Sequence, residues 1–454
     1  MVRIEFKREL KTLLYYIRNY GSEHTKDTFD FNKGQFVTTD AQHKFMEETH
    51  KGFLLAQDRL IELLTISLKE KKDLKNNNKI INRSKVVINK DIVIEKNKND
   101  LITITYQEKV LRSIADTIAW KMIGRDITTA RRLYAGEEVI DITNSNIESC
   151  IRSVNAIMQE DSANMALISD LTSFIQVGDI LSYNYKQKAL EIFEVKEGKV
   201  NGEILDILKT FMSNKCKYSL AKSLELKDHN FHKQFDRVIK QADKDSSVMK
   251  TIETGEGTDL YTGLNVKIPK EAIVVDDYTD IFNPLIEKAH KKGWSIEVID
   301  NCLLIGVYFI KKMPSSAFEA WIEPFDRITP TYDFRYSFNL PTNCPLFAHD
   351  IYDNYLIDIA LGDIVIKMAV AMDDFLTLCN KAGLNYKWLS KKETARINSN
   401  VPTSNRIFEL DGRGIELIIG DKNLYLGDGT ILRMFSMFTK PESAIDLLKE
   451  SLNY

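Results

Sequence analysis

Apolar residues recur along this chain at two periods, and the switches between them mark its elements. Over residues 1–68 they return every three or four positions, which predicts helix. Thr39-Asp40 can cap a long helix carrying Phe45, Phe53, Leu54, Leu60, Ile61 and Leu64. The helical spacing resumes at Val110, Ile114, Ile118 and Trp120, and again over 130–135. Asn144-Ser145-Asn146 precede Cys150, Ile151, Val154, Ile157 and Met158, the pattern of a capped helix. Residues 165–175 read as a further helix leading towards Asp179. The pattern then tightens. Val177-Gly178-Asp179-Ile180 and Glu191-Ile192-Phe193-Glu194-Val195-Lys196 read as two buried strands, and the polar run 182–188 between them suits a hairpin. Helical spacing returns over 230–241. Phe231, Phe235, Val238 and Ile239 form the apolar stripe there, and Gln234, Arg237 and Gln241 share another face.

The remainder alternates strands and helices. Strands are predicted at 272–275, 295–299, 302–309, 364–367, 406–410, 415–419 and 424–426, and helices at 281–290, 372–382 and 442–452. Four segments follow: a helical N-terminal region 1–68, a segment 69–104, a domain 105–245 and a C-terminal α/β domain 246–454. The second has a distinct charge. Its stretch 69–100 holds ten Lys and Arg against five Asp and Glu. Val86-Val87-Ile88 and Ile92-Val93-Ile94 flank Asn89-Lys90-Asp91, so this stretch reads as a basic linker or hairpin able to track phosphates. A solvated surface excursion is the competing reading.

Composition narrows the class. At 454 residues the chain is long for one core. Apolar residues are 44% and charged residues 28%, as in ordinary globular proteins. With 62 basic and 65 acidic residues the net charge is −3, so any positive surface for nucleic acid must be local. Cys150, Cys216, Cys302, Cys344 and Cys379 have no metal-ligand spacing, which argues against zinc ribbons and disulfide frameworks and suits the cytoplasm. The charged start of the chain lacks the apolar core of a signal peptide, and no run approaches a membrane span. Gly412-Arg413-Gly414 and Gly427-Asp428-Gly429 are turn signals, and no strand leads into a phosphate loop ending in Lys-Ser/Thr, so ATP hydrolysis is not expected.

The chemistry concentrates in the strand pair. A carboxylate in an apolar strand is costly unless paired or bound to metal. Glu194 lies fifteen residues after Asp179, so a hairpin sets them side by side. Period 2 points Glu194 and Lys196 the same way and Val195 the other. Glu-x-Lys occurs elsewhere, at Glu5/Lys7, Glu70/Lys72 and Glu197/Lys199, but only Glu194/Lys196 follows an apolar strand with an acid on the strand before it. An edge-strand salt bridge is the competing reading. His229 and His232 are three apart without a third ligand nearby and read as surface residues. The acids Asp276, Asp277, Asp373 and Asp374 read as surface or capping groups.

Gly178-Asp179-Ile180 with Glu194-Val195-Lys196 resembles the core of the PD-(D/E)xK nuclease superfamily over roughly residues 105–245. Gly178 stands where that family carries proline. The resemblance implies a restriction-endonuclease-like fold: a mixed sheet flanked by helices, within a chain of α/β class. It implies that Asp179 and Glu194, with the Val195 carbonyl, hold Mg²⁺, for which Mn²⁺ can substitute, and that Lys196 activates or stabilises the attacking water. From the preceding helix Glu148 is the candidate further ligand, with Glu160 and Asp161 as competitors. From the following helix Gln234 is assigned to the site, and Arg237 and Lys240 to the phosphates.

The expected function is a Mg²⁺-dependent endonuclease, with DNA ahead of RNA as substrate. Analogy with such nucleases suggests a bacterial restriction or anti-phage system, a C-terminal domain that recognises a protein partner or the invader, and a homodimer able to cut both strands. Two other classes stay open: a non-catalytic nucleic-acid-binding protein on the same fold, and a scaffold whose terminal regions do the work.

Overall fold

The computed structural model describes residues 1–25, 29–30, 35–83, 90–268, 275–399, 401 and 406–451. It divides into two compact units: Tyr15–Pro269, and Met1–Leu14 together with Lys270–Tyr454. The expected boundary at 245/246 therefore moves to 269/270. Nor is 1–68 a region of its own. Its first helix, α1 (Arg3–Leu14), belongs to the second unit, and the rest is built into the first.

In the first unit a π-helical turn, Tyr15–Asn19, leads to α2 (Tyr20–His24), and a small hairpin pairs β1 (Phe29–Asp30) with β2 (Gln35–Phe36). The long helices α3 (Thr39–Arg83) and α4 (Lys90–Met122) follow. Thr38 supplies the cap of α3, one residue before the expected pair; its Oγ1 accepts from the Ala41 amide at 3.1 Å. Lys71 pairs with Glu108 and Asn97 with Asn78, so the two helices run antiparallel. Residues 69–104, expected as linker or basic hairpin, are thus mostly helix. Positions 84–89 of that expected hairpin lie outside the described residues.

Next come α5 (Ile127–Leu133) and α6 (Ile147–Glu160). A sheet follows, of β3 (Asn164–Ile168), β4 (Ile180–Asn184) and β5 (Ala189–Phe193), with β4 in the centre. β3 occupies residues expected to be helical. A continuous apolar run carries no period to separate the two states, and pairing with β4 decides it. The free edge of β3 is satisfied by a buried side chain of α3: Gln57 Oε1 accepts from the Ile168 amide at 2.8 Å, and its Nε2 donates to the Ala166 carbonyl. Three helices follow: α7 (Lys199–Asn214), α8 (Lys217–Glu225) and α9 (His229–Thr254). The predicted stripe Phe231, Phe235 and Val238 is buried in a cluster with Ile204 of α7. The unit closes with the hairpin β6 (Glu256–Thr258) and β7 (Asn265–Lys267).

The second unit continues with α10 (Phe282–Lys292), β8 (Trp294–Ile299), β9 (Leu303–Phe309), α11 (Ala317–Ile322), β10 (Tyr332–Asp333), α12 (Asp353–Ala360) and β11 (Ile364–Val370). Their sheet has the order β10-β11-β9-β8. Then come α13 (Met372–Lys381), β12 (Asn385–Trp388), α14 (Lys391–Ser399), β13 (Glu409–Leu410), β14 (Arg413–Ile419), β15 (Lys422–Tyr425), α15 (Asp428–Ser436) and α16 (Pro441–Ser451). β14 pairs with β12, β13 and β15. The α/β alternation matches the pattern in the sequence. Residues 272–274 of one expected strand and Leu452 of the last helix lie outside the described residues.

The chain is a mixed α/β structure rich in helix, with small sheets. Every strand pair among the described residues is antiparallel, so the mixed sheet expected within 105–245 is replaced by an antiparallel one. No helix among the described residues is long and apolar enough to cross a membrane.

Candidate active site

Helix α4 anchors the loop that carries Asp179. Its buried Arg112 donates to the Asp170 carbonyl at 2.6 Å and the Ile140 carbonyl at 2.8 Å. One turn on, buried Asp116 accepts from both the Ser173 amide and the Ser173 hydroxyl at 2.7 Å. Burial pushes the Asp116 carboxyl up to about 7, against the pull of those bonds and of Arg112. Residues 169–179 are therefore held from one helix face before the chain enters β4.

The hairpin then brings the acids together. Ile180 pairs with Phe193, so Asp179 lies just before β4 and Glu194 just after β5, one position beyond the last pair. The backbone continues the ladder: the Asp179 amide donates to the Phe193 carbonyl at 2.9 Å. The Val195 amide donates to Asp179 Oδ2 at 2.7 Å. Gly178 occupies a backbone position closed to proline. Its φ is +70°, which a proline ring cannot adopt, and a Cβ there would lie 2.0 Å from Ile192 Cγ2.

The strand expected to run to Lys196 ends at Phe193, so Glu194 and Lys196 lie beyond it, where they form an ion pair of 2.6 Å. The other Glu194 oxygen accepts from Gln241 Nε2 at 2.6 Å. Asp245, one turn further along α9, sits against the same carboxylate. Burial first, and then the Glu194 charge, raise both Asp179 and Asp245 to about 6. For Asp179 the Val195 amide and Lys196 pull the other way, and for Asp245 Lys244 does. Burial also raises Asp170, which accepts from Ser145.

Asp170, Asp179, Glu194, Lys196 and Gln241 line a cavity of about 570 Å³. It brings together Asp179, Glu194, Val195, Lys196, Gln234 and Arg237 from the expected set. It leaves out two. Glu148 is exposed in the first turn of α6; Asn146, at the helix cap, lines the cavity instead, with its Nδ2 3.5 Å from the Val195 carbonyl. Lys240 is exposed and falls about 120° from Gln234 around α9, off the lining face. Gln234 lines the cavity but donates to Asn201 of α7 at 2.9 Å, and Gln241 holds Glu194 in its place. The shared helix face 234/237/241 pointed to Gln241; only the depth of the site along the helix singles it out. Sequence reasoning missed Lys244 and Asp245, whose signal is that same face continued by one turn.

The groups at the hairpin end that could hold a cation are the Asp179 and Glu194 carboxylates and the Val195 carbonyl. Glu137, Glu138, Asp170, Asp179, Glu194 and Glu197 line the cavity with Lys196, Arg237 and Lys244, so its charged lining is predominantly acidic. Among the described residues no three His, Cys, Asp or Glu side chains are grouped to hold a metal. No protein family, curated protein or solved structure matches the chain.

Proposed function

We propose that this chain is a Mg²⁺-dependent nuclease with a restriction-endonuclease-like site, acting on DNA ahead of RNA. The observation that carries the reading is the pairing of Asp179 and Glu194 at adjoining strand ends, with Lys196 against Glu194. Asp179, Glu194 and the Val195 carbonyl are the residues that would hold the ion. The ion would lower the pKa of a water and neutralise charge building on the phosphate. Lys196 Nζ orients the water through a donated hydrogen bond and adds positive charge beside the reacting phosphorus. Arg237 holds a phosphate oxygen, for which its planar fork of donors is suited. Gln241 fixes the Glu194 carboxylate from α9. In the reaction a water oxygen bonds to phosphorus, one ester P–O bond breaks, and the departing alcohol gains a proton.

The test is cleavage of supercoiled, linear and single-stranded DNA and of RNA with Mg²⁺ or Mn²⁺. The wild type should cut, Glu194→Ala should show no cutting, and Lys196→Ala should lose at least about 100-fold. Cutting that persists in Glu194→Ala sinks the reading.

A second reading is a protein that binds nucleic acid without cutting it. Both Glu194 oxygens are already occupied, by Lys196 and Gln241, which favours it. Calorimetric titration with Mg²⁺ separates the two: heat that disappears with Glu194→Ala supports the nuclease, and no heat from the wild type supports the binder.

A further inference from the structure

The far halves of α3 and α4 form an arm. The last buried residue of α3 is Leu68 and the first of α4 is Ile104. Residues 69–83 and 90–103 run beyond these points, which at 1.5 Å per residue is a reach of about 20 Å. Within the arm, half-buried Leu74, Asn78 and Ile81 lie along α3, and half-buried Ile94, Asn97 and Leu101 along α4. The Asn97 amide donates to Asn78 Oδ1 at 2.8 Å. This is a coiled-coil seam whose polar pair sets register at some cost in stability.

The outer surface of α3 carries a second pattern. Lys72, Lys75, Lys79 and Arg83 are exposed and follow spacings of three, four and four. That spacing places them within about 80° of one another on one helix face. None of the four has an ion-pair partner among the described residues. Glu70 and Asp73, the acids on this length of α3, lie about 100° or more from Lys72. The lysine that turns inward, Lys71, is the one neutralised, by Glu108. The arm thus pairs off its inner charge and presents an outer row of cations about 16 Å long. A chain of net charge −3 sets this row apart as a local positive feature.

We propose that this arm binds the phosphate backbone of a nucleic-acid duplex, independently of base sequence. The choice of occupant rests on the nuclease reading. Charge complementarity supports it: a duplex presents a regular row of anions, and lysines on flexible stems match it without reading bases. The arm would hold substrate that the acid-lined cavity alone repels.

The test uses the full chain, a labelled DNA duplex and fluorescence anisotropy in EDTA at several salt concentrations. Three proteins are compared: wild type, the variant Lys72→Gln/Lys75→Gln/Lys79→Gln/Arg83→Gln, and a control with Lys288→Gln/Lys291→Gln/Lys311→Gln/Lys381→Gln in the second unit. The arm variant should bind at least about tenfold more weakly, and its slope of log affinity against log salt should shrink by about 3 to 4. The control should match the wild type. An unchanged slope in the arm variant, an equal loss in the control, or no binding by the wild type overturns the proposal. Cleavage with Mg²⁺ is read on the same samples. Glu194-dependent cutting with an unchanged arm slope removes the arm alone. Arm-dependent binding with no cutting removes the nuclease reading alone.

Discussion

Gln241 holds one Glu194 oxygen and Lys196 the other, so the orientation of this carboxylate is set from two elements. Gln241→Ala should lower turnover by about 10- to 100-fold, as loss of a group orienting a ligand does. Gln234→Ala, whose amide reaches Asn201, should stay within a few-fold. Steady-state cleavage rates check this, and equal losses in the two variants would contradict the geometry. A second residue sets an acid limit on stability. His50 is buried, and burial lowers its pKa from 6.5 to about 4. The neutral ring is the form the fold accepts, so its contribution is full above pH 6.5 and is lost as pH falls towards 4. The stability difference between wild type and His50→Gln in urea should change by on the order of 2 kcal/mol between pH 6.5 and 4.5, while the raised carboxyls Asp116, Asp179 and Asp245 act in the opposite direction in both proteins. His50→Gln should be less stable than wild type at pH 7, and that deficit should shrink across the window. A variant with the wild-type slope would assign the acid limb to other groups.

At the scale of elements, the hairpin depends on one backbone conformation. Gly178 combines a φ of +70° with close approach to Ile192, whose Cγ2 is a branched methyl with little room to turn away. Gly178→Ala should cost about 1 to 3 kcal/mol and displace Asp179. Calorimetry should show a lower melting temperature, with Mg²⁺ heats reduced in parallel; an unchanged melt would mean the turn relaxes freely. The α9 stripe was legible in the sequence because apolar residues at helical spacing are a local signal, whereas the hairpin was legible only in outline: β4 (Ile180–Asn184) takes up residues 182–184 of the expected turn, and the expected strand residues 177–179 and 194–196 lie outside β4 and β5. β3 was not legible, since its run 165–168 is apolar at every position. The helices over 69–104 were hidden for a related reason. Their seam is narrow and broken by Asn78 and Asn97, so charge dominates the pattern.

For the whole molecule the division into units is not the order of the chain. α1 packs on α12 across some 350 positions of sequence, with Lys7 and Arg3 paired to Asp358 and Asp363. Phe6 and Leu10 are fully buried. Deleting residues 1–14 should therefore destabilise the second unit while Glu194-dependent Mg²⁺ binding in the first persists. Scanning calorimetry with metal titration of the shortened chain checks this, and loss of metal binding would show that the first unit also needs α1. The sequence by itself determined what one stretch can settle: a hairpin between Asp179 and Glu194, the amphipathic α9 and the α/β alternation of the last two hundred residues. These follow from side-chain period and turn chemistry, which act over a few positions. Tertiary structure alone decided which glutamine of α9 meets Glu194, that Asp245 crowds it, that Glu148 faces away, and that α1 joins the far end of the chain. Each depends on where two separate elements come to rest against one another, and no local pattern encodes that distance.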